Sequence, residues 1–370
     1  MAKMKELKIG NLVANLPIVQ GGMGIGISLS GLASAVANQG GIGVISAACI
    51  GFRESDFYSN FFEANIRALR NEIRRARELT KGILGVNIMT AMSNFHDMVT
   101  TSIEEGIDII FSGAGLPLNL PEYLNGSSHT KLVPIVSSAR AAKLIAKKWI
   151  DKYSYVPDAF VVEGPLAGGH LGFQAEELFD SRHSLEQILQ EVISEVKPLE
   201  EGHQKSIPII AAGGIYSGSD IYRMLSIGAG GVQMATRFVA TEECDASLAF
   251  KLAYINAKKE DIVITNSPVR MPGRAIMNEF IHHIKSGAAK PKKCLFHCIK
   301  TCDYKQSPYC ISEALINAQT GNMEEGLVFA GQKAFQVQEI ASVAHVFKQL
   351  MDEYTEYESS LGLRPQVAEA

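Results

Sequence analysis

Residues 161–173, VVEGPLAGGHLGF, bring a carboxylate, two adjacent glycines and a histidine into one short loop. Val161 and Val162 lead into Glu163, and Gly168 and Gly169 immediately precede His170. Histidine exchanges a proton near neutrality. Glycine removes the side chain that would hold a backbone away from a ligand. The pattern predicts a buried strand that ends on an acid, then a glycine-bearing loop that carries an imidazole.

Other strand-like runs end in the same way. Their ends read QGGMGIG (20–26), GVN with Asn87, SGAG (112–115), AAGG (211–214) and QMAT (233–236). Glycine-rich ends leave backbone N–H groups free to face an anion. The stretch GGIYSGSDIYRML supplies Gly213 and Gly214 and then a serine-rich helix start, while Gln233, Met234, Ala235 and Thr236 follow close by. Glycines there also serve plain turns, but two neighbouring stretches of this kind predict a phosphate site. A dinucleotide fingerprint in GGMGIG is excluded, because it needs an acid about 20 residues on. No Asp or Glu occurs between Glu6 and Glu54.

The elements that must position these groups alternate. Apolar runs at 16–22, 41–47, 82–89, 107–113, 131–137, 159–164, 207–214 and 231–238 are separated by segments of helical period, such as 62–80 and 139–153. Strands buried on both faces read as unbroken Val/Ile/Leu runs. Eight such units predict a (β/α)8 TIM barrel, with the site at the C-terminal strand ends. The expected division is a (β/α)8 barrel over 1–257 and a mainly helical extension over 258–370, packed on or beside the barrel mouth.

The chain has 370 residues, 46% of them hydrophobic, and a formal charge of -4 without clustering. That excludes a nucleic-acid footprint. The apolar stretch 31–52 is broken by Asn38, Gln39, Gly40 and Gly41, so it reads as helix, turn and strand rather than a membrane span. The N-terminal residues lack a signal-peptide pattern, and the cysteine usage fits a reducing cytoplasm.

Taken in order, GVN, SGAG, EG, AGGH, IPIIAAGGI and GVQMATRF resemble the nitronate monooxygenase family, once called 2-nitropropane dioxygenases. The resemblance runs from about residue 16 to 250, with a fainter match at GRAIMN (273–278). That family shares an FMN-binding barrel with flavin-dependent enoyl-acyl-carrier-protein reductases. The resemblance implies that Asn87 and Glu163 meet the flavin, with Gly22, Met23 and Gly24 under its ring. It implies backbone contacts from Gly168, Gly169, Gly213 and Gly214, and a phosphate end closed by Gln233, Met234, Ala235 and Thr236. It makes His170 the catalytic residue, and an apolar substrate pocket is expected from Met23, Phe173 and Met271. Two positions depart from the family pattern: Ala235 replaces a usual glycine, and Glu163 replaces a frequent glutamine. Both EG and SGAG lean toward the enoyl reductase branch.

Three activities follow as expectations. The first is oxidation of alkyl nitronates by O2 through FMN. The second is reduction of an enoyl thioester by NAD(P)H through the same cofactor, and the third is flavin binding without catalysis. The extension could also supply a homodimer interface.

Cys294, Cys298, Cys302 and Cys310 fall within KKCLFHCIKTCDYKQSPYC. On a helix the first three would form one stripe, with Cys310 folding back, a set able to ligate zinc or an iron–sulfur cluster. Packed thiols under an amphipathic helix have the same spacing.

Overall fold

The computed structural model describes residues 4–126, 129–287 and 289–362. Eight parallel strands occupy the eight apolar runs: β1 (Ile18–Gln20), β2 (Gly43–Ser46), β3 (Leu84–Met89), β4 (Ile109–Gly113), β5 (Lys131–Val136), β6 (Phe160–Glu163), β7 (Ile209–Ala212) and β8 (Gly231–Met234). Each pairs with its neighbour in sequence from β2 to β8, and β8 returns to β1 with Val232 opposite Ile18. The ring closes where Val19 bridges Ile42. A side chain reinforces that seam: buried Gln20 accepts from the Val44 N–H through Oε1 at 3.0 Å.

The unbroken apolar runs are needed because the strands are covered on both sides. Ile109 and Phe111 point into the barrel with Val19, Val44, Val133, Val161 and Ile210, while Ile110 faces the helices. A hairpin of Leu7–Ile9 and Leu12–Ala14 adds Leu7, Ile9 and Ala14 to the interior cluster. Leu7 lies against Gly231, the first residue of β8, so the hairpin plugs the N-terminal end of the barrel.

Helices α1 (Ser30–Asn38), α2 (Phe61–Leu79), α3 (Phe95–Glu104), α4 (Ala139–Tyr153), α5 (Leu185–His203) and α6 (Gly218–Ile227) follow their strands. The stretch 31–52 forms α1, a turn and β2, as its central polar residues require. Among the described residues, no helix is long and apolar enough to cross a membrane.

After β8 comes only the short α7 (Thr236–Val239), and the chain then leaves the barrel until α11 (Val343–Ser360). Helix α11 packs on α6 and α1, the place of the missing eighth helix. Glu353 accepts from the Gly218 N–H at 2.7 Å, and the Tyr222 and Tyr354 ring centroids lie 5.4 Å apart. The structure thus refines the division expected at 257, because the C-terminal helix completes the barrel itself.

The intervening excursion is not helical throughout. It holds α8 (Leu248–Asn256), a hairpin of β9 (Ile262–Asn266) and β10 (Pro272–Ile276), α9 (Glu279–Ser286) and α10 (Ile311–Thr320). Ala275, Phe280, Ile281, Tyr309, Ile311, Ala314 and Leu327 give it a small core of its own. Residues 294–310 contain no regular helix, so the predicted cysteine stripe does not form.

Candidate active site

A cavity of about 650 Å³ opens at the C-terminal ends of the strands. Every residue expected to meet the cofactor lines it: Gly22, Met23, Gly24, Asn87, Glu163, Gly168, Gly169, Gly213, Gly214, Gln233, Met234, Ala235 and Thr236. His170 is there too, with Met271. Phe173 is not. It is buried in the main core and turns its ring toward His183, at a centroid distance of 6.2 Å.

At Gly168 the glycine is required by the excursion: a Cβ there would lie 2.5 Å from the backbone of Ala330 and Gly331. Gly169 and His170 then pair antiparallel with Arg274 and Gly273 of β10. The loop is held from below as well: buried Arg274 donates from Nη1 to Pro165 O at 2.7 Å and to Ala167 O at 2.5 Å. Burial lowers its guanidinium to about 10. GRAIMN carries this contact, which explains why that short motif stands out in an otherwise unfamiliar region.

His170 Nε2 lies 2.6 Å from Ser267 Oγ, and its ring meets Phe329 edge-on at 4.9 Å. Burial pulls its conjugate acid down to about 4, so the imidazole is neutral at physiological pH. The Val269 N–H donates weakly to the same Ser267 hydroxyl at 3.4 Å. The contact with Ser267 engages Nε2 of the imidazole and sets its orientation. Glu163 moves in the opposite direction, since burial raises its carboxyl to about 7. It is the only carboxylate in the cavity wall among the described residues, and that wall contains no Lys or Arg.

At the β7 and β8 ends the wall is backbone and small side chains. Gly213 and Gly214 take φ of +92° and +82°, a turn that a side chain would strain. Ala235 keeps φ at -121°, so its methyl is accommodated. The predicted contribution of the α6 N-terminus does not hold. Asp220 already occupies it, accepting from the Tyr216 and Ser217 N–H groups at 2.9 and 3.1 Å and pairing with Lys333 at 2.7 Å. A carboxylate there repels a second anion.

The sequence missed the excursion's share of the wall, including Phe329, Ala330 and Gly331. It also missed Ser267, which fixes the histidine. Of the four clustered cysteines only Cys298 lines the cavity, beside Cys49. Among the described residues no three His, Cys, Asp or Glu side chains gather to hold a metal, so the zinc or iron–sulfur set is not assembled. The spacing misled because the segment folds irregularly: Cys302 turns to Ser307 and Cys298 to Ser312.

The nitronate monooxygenase family model matches residues 5–353. A probable nitronate monooxygenase of Staphylococcus saprophyticus is 29% identical over 307 residues, covering 76% of this chain and 81% of the relative. The solved structure of FabK from Thermotoga maritima superposes with a TM-score of 0.73 at 27% identity, over 94% of this chain and 95% of that one. A nitroalkane oxidase from Streptomyces ansochromogenes shares the fold, with a TM-score of 0.71 at 21% identity over 94% and 97%. The match spans barrel, excursion and α11 alike, and on that ground the chain belongs to the nitronate monooxygenase family of oxidoreductases.

Proposed function

We propose that the protein oxidises alkyl nitronates with molecular oxygen through bound FMN. The observation that carries this reading is a histidine kept neutral by burial, hydrogen-bonded to Ser267, in the one cavity shared with the glycine-rich strand ends. Cavity size favours a cofactor-sized ligand, since such sites span about 300–1,000 Å³. The Gly213–Gly214 turn, Ala235, Thr236 and Gly331 leave room for a phosphate with backbone and a hydroxyl around it.

When bound, FMN supplies the electron acceptor and the reactivity toward oxygen. The chain's own groups bind and orient. With Nε2 engaged by Ser267, Nδ1 is the ring nitrogen of His170 left for substrate; in the tautomer where Ser267 donates to Nε2, the Nδ1 N–H donates to the oxygens of an anionic nitronate. A conjugate acid near 4 makes His170 a weak base toward a carbon acid, which favours a preformed nitronate over a neutral nitroalkane. Glu163, titrating near 7, presents either a donor or an acceptor to the ring edge at neutral pH. Met23, Met271 and Phe329 give the substrate an apolar wall. The six free cysteines support a cytoplasmic location.

The likeness to FabK favours a second reading, reduction of an enoyl thioester by NAD(P)H. Anaerobic mixing separates the two. Bleaching of the flavin by a nitronate, with no rapid bleaching by NADH or NADPH, is the expected result. Rapid bleaching by a nicotinamide would replace the first reading with the second. An unbleached flavin with every donor would leave a binding protein.

A further inference from the structure

The proposed chemistry uses neither Cys49 nor Cys298, yet both stand in the cavity wall. Cys49 follows β2 and is 4% exposed, while Cys298 belongs to the excursion and is 9% exposed. Ser312 of α10 joins them: its Oγ lies 3.0 Å from Cys298 Sγ and accepts from Cys49 Sγ at 3.6 Å. Ser312 thus stands within hydrogen-bond reach of both thiols.

The excursion holds Cys298 at this place by backbone contacts. Ile299 bridges Met92, the Ser93 N–H donates to Cys298 O at 3.0 Å, and the Lys300 N–H donates to Ala91 O at 3.0 Å. The other thiols have different surroundings. Cys302 neighbours Ser307, Cys294 accepts from the His297 N–H, and Cys310 stands at the N-cap position of α10 without a side-chain cap bond. Only Cys49 and Cys298 share a partner and a route from the cavity.

We propose that Cys49 and Cys298 form a peroxide-reactive dithiol, a modification site whose disulfide ties the excursion covalently to the barrel mouth. Cys298 has the closer hydroxyl, Ser312 Oγ at 3.0 Å, and its thiol is pulled down by its neighbours while Cys49, fully buried beside it, is pushed up; this assigns attack to Cys298 and resolution to Cys49. The Cys298 thiolate attacks one oxygen of hydrogen peroxide, the O–O bond breaks, and hydroxide leaves. Cys298 is then a sulfenic acid. Cys49 attacks that sulfur, losing its proton as the S–S bond forms and the sulfenic oxygen departs as water. Two thiols give up two electrons and two protons, and the peroxide ends as two waters. The proposal stands apart from the choice of substrate, since it needs only a hydroperoxide small enough to enter the cavity.

The test uses the purified protein with its cofactor. It is treated with hydrogen peroxide, quenched with acid, alkylated under denaturing conditions, digested and mapped by mass spectrometry. A Cys49–Cys298 linked peptide is expected, removed by dithiothreitol, with alkylatable thiols falling by two from the six of the reduced chain. In Cys49→Ser the linked peptide should vanish and Cys298 should proceed to sulfinic acid. A linkage of Cys298 to Cys302 or Cys310 would overturn the proposal. So would peroxide-treated wild type in which Cys49 and Cys298 both remain fully alkylatable. The wild-type map decides by itself, so a variant that folds poorly removes nothing from the test.

Discussion

The barrel mouth and the excursion above it build one cavity by opposite means. The mouth uses ends of parallel strands, each fixed by two neighbours, so its lining positions follow from register: Ala212 stands beside both Glu163 and Gln233. The excursion uses irregular chain around a small core and reaches the cavity at scattered places, among them Val269, Cys298 and Phe329. A cradle for a large invariant ligand suits the first. Orientation of His170, and the substrate wall, fall to the second.

The comparison breaks first at His170, a barrel-loop residue held by the excursion. His170→Ala should retain bound FMN and lower turnover by roughly 10² to 10⁴, the range for a lost acid–base or hydrogen-bonding group. Cofactor content by absorbance and turnover with preformed nitronate measure the two halves separately. Loss of the flavin together with activity would mean that the excursion side also holds the cofactor.

Arg274→Met tests the excursion's hold on the loop. The change strands the carbonyls of Pro165 and Ala167, which now accept from a charged donor. Removing that buried cation offsets part of the cost, leaving a net destabilisation of about 2–4 kcal/mol. Denaturant unfolding reads it, and turnover should fall as His170 loses its fixed place. An unchanged unfolding midpoint would show that the β9–β10 hairpin alone sets the loop.

Glu163 and His170 should pull stability in opposite directions with pH. Glu163 rises from 4.5 in the unfolded chain to about 7 when folded, so the folded state loses stability as pH increases between those values. His170 falls from 6.5 to about 4, so stability is lost as pH decreases through that range. Glu163→Gln removes the first effect and leaves the second. Its melting temperature, at matched cofactor loading, should exceed wild type at pH 8 by more than at pH 5. Equal differences at both pH values would place the Glu163 carboxyl in contact with water rather than in the buried wall.

Much of the mouth was legible because regular strands convert local sequence into position. The eight apolar runs became the eight strands, and each glycine-rich end reached the cavity. Phe173 was misplaced because burial in the core and lining of the mouth ask for the same side chain. The cysteine spacing was read as a helix, and nothing in KKCLFHCIKTC marks the irregular path it takes. Ser267 and Arg274 act through partners about 100 residues away, at Glu163's loop, so only the fold brings them to it. The sequence tied the glycine pair at 168–169 to a ligand, whereas at Gly168 the fold adds a constraint that only the tertiary structure shows, the Ala330–Gly331 backbone.

The smallest expected effect sharpens the boundary between packing and chemistry within the excursion. Tyr309 sits in its core, edge-on to Phe280 at 5.5 Å, and its buried hydroxyl has no hydrogen-bond partner. Burial pushes the phenol well up, with nearby Ser267 acting against it. An unsatisfied buried hydroxyl costs about 1–3 kcal/mol, so Tyr309→Phe should be neutral or stabilising by up to about 1 kcal/mol once lost contacts are counted. Turnover should stay the same if Ser267 orients His170 by itself, with Val269 as its other partner. A lower turnover at unchanged stability would instead extend the support of His170 from Ser267 to the phenol, and move Tyr309 from the excursion's core to its working face.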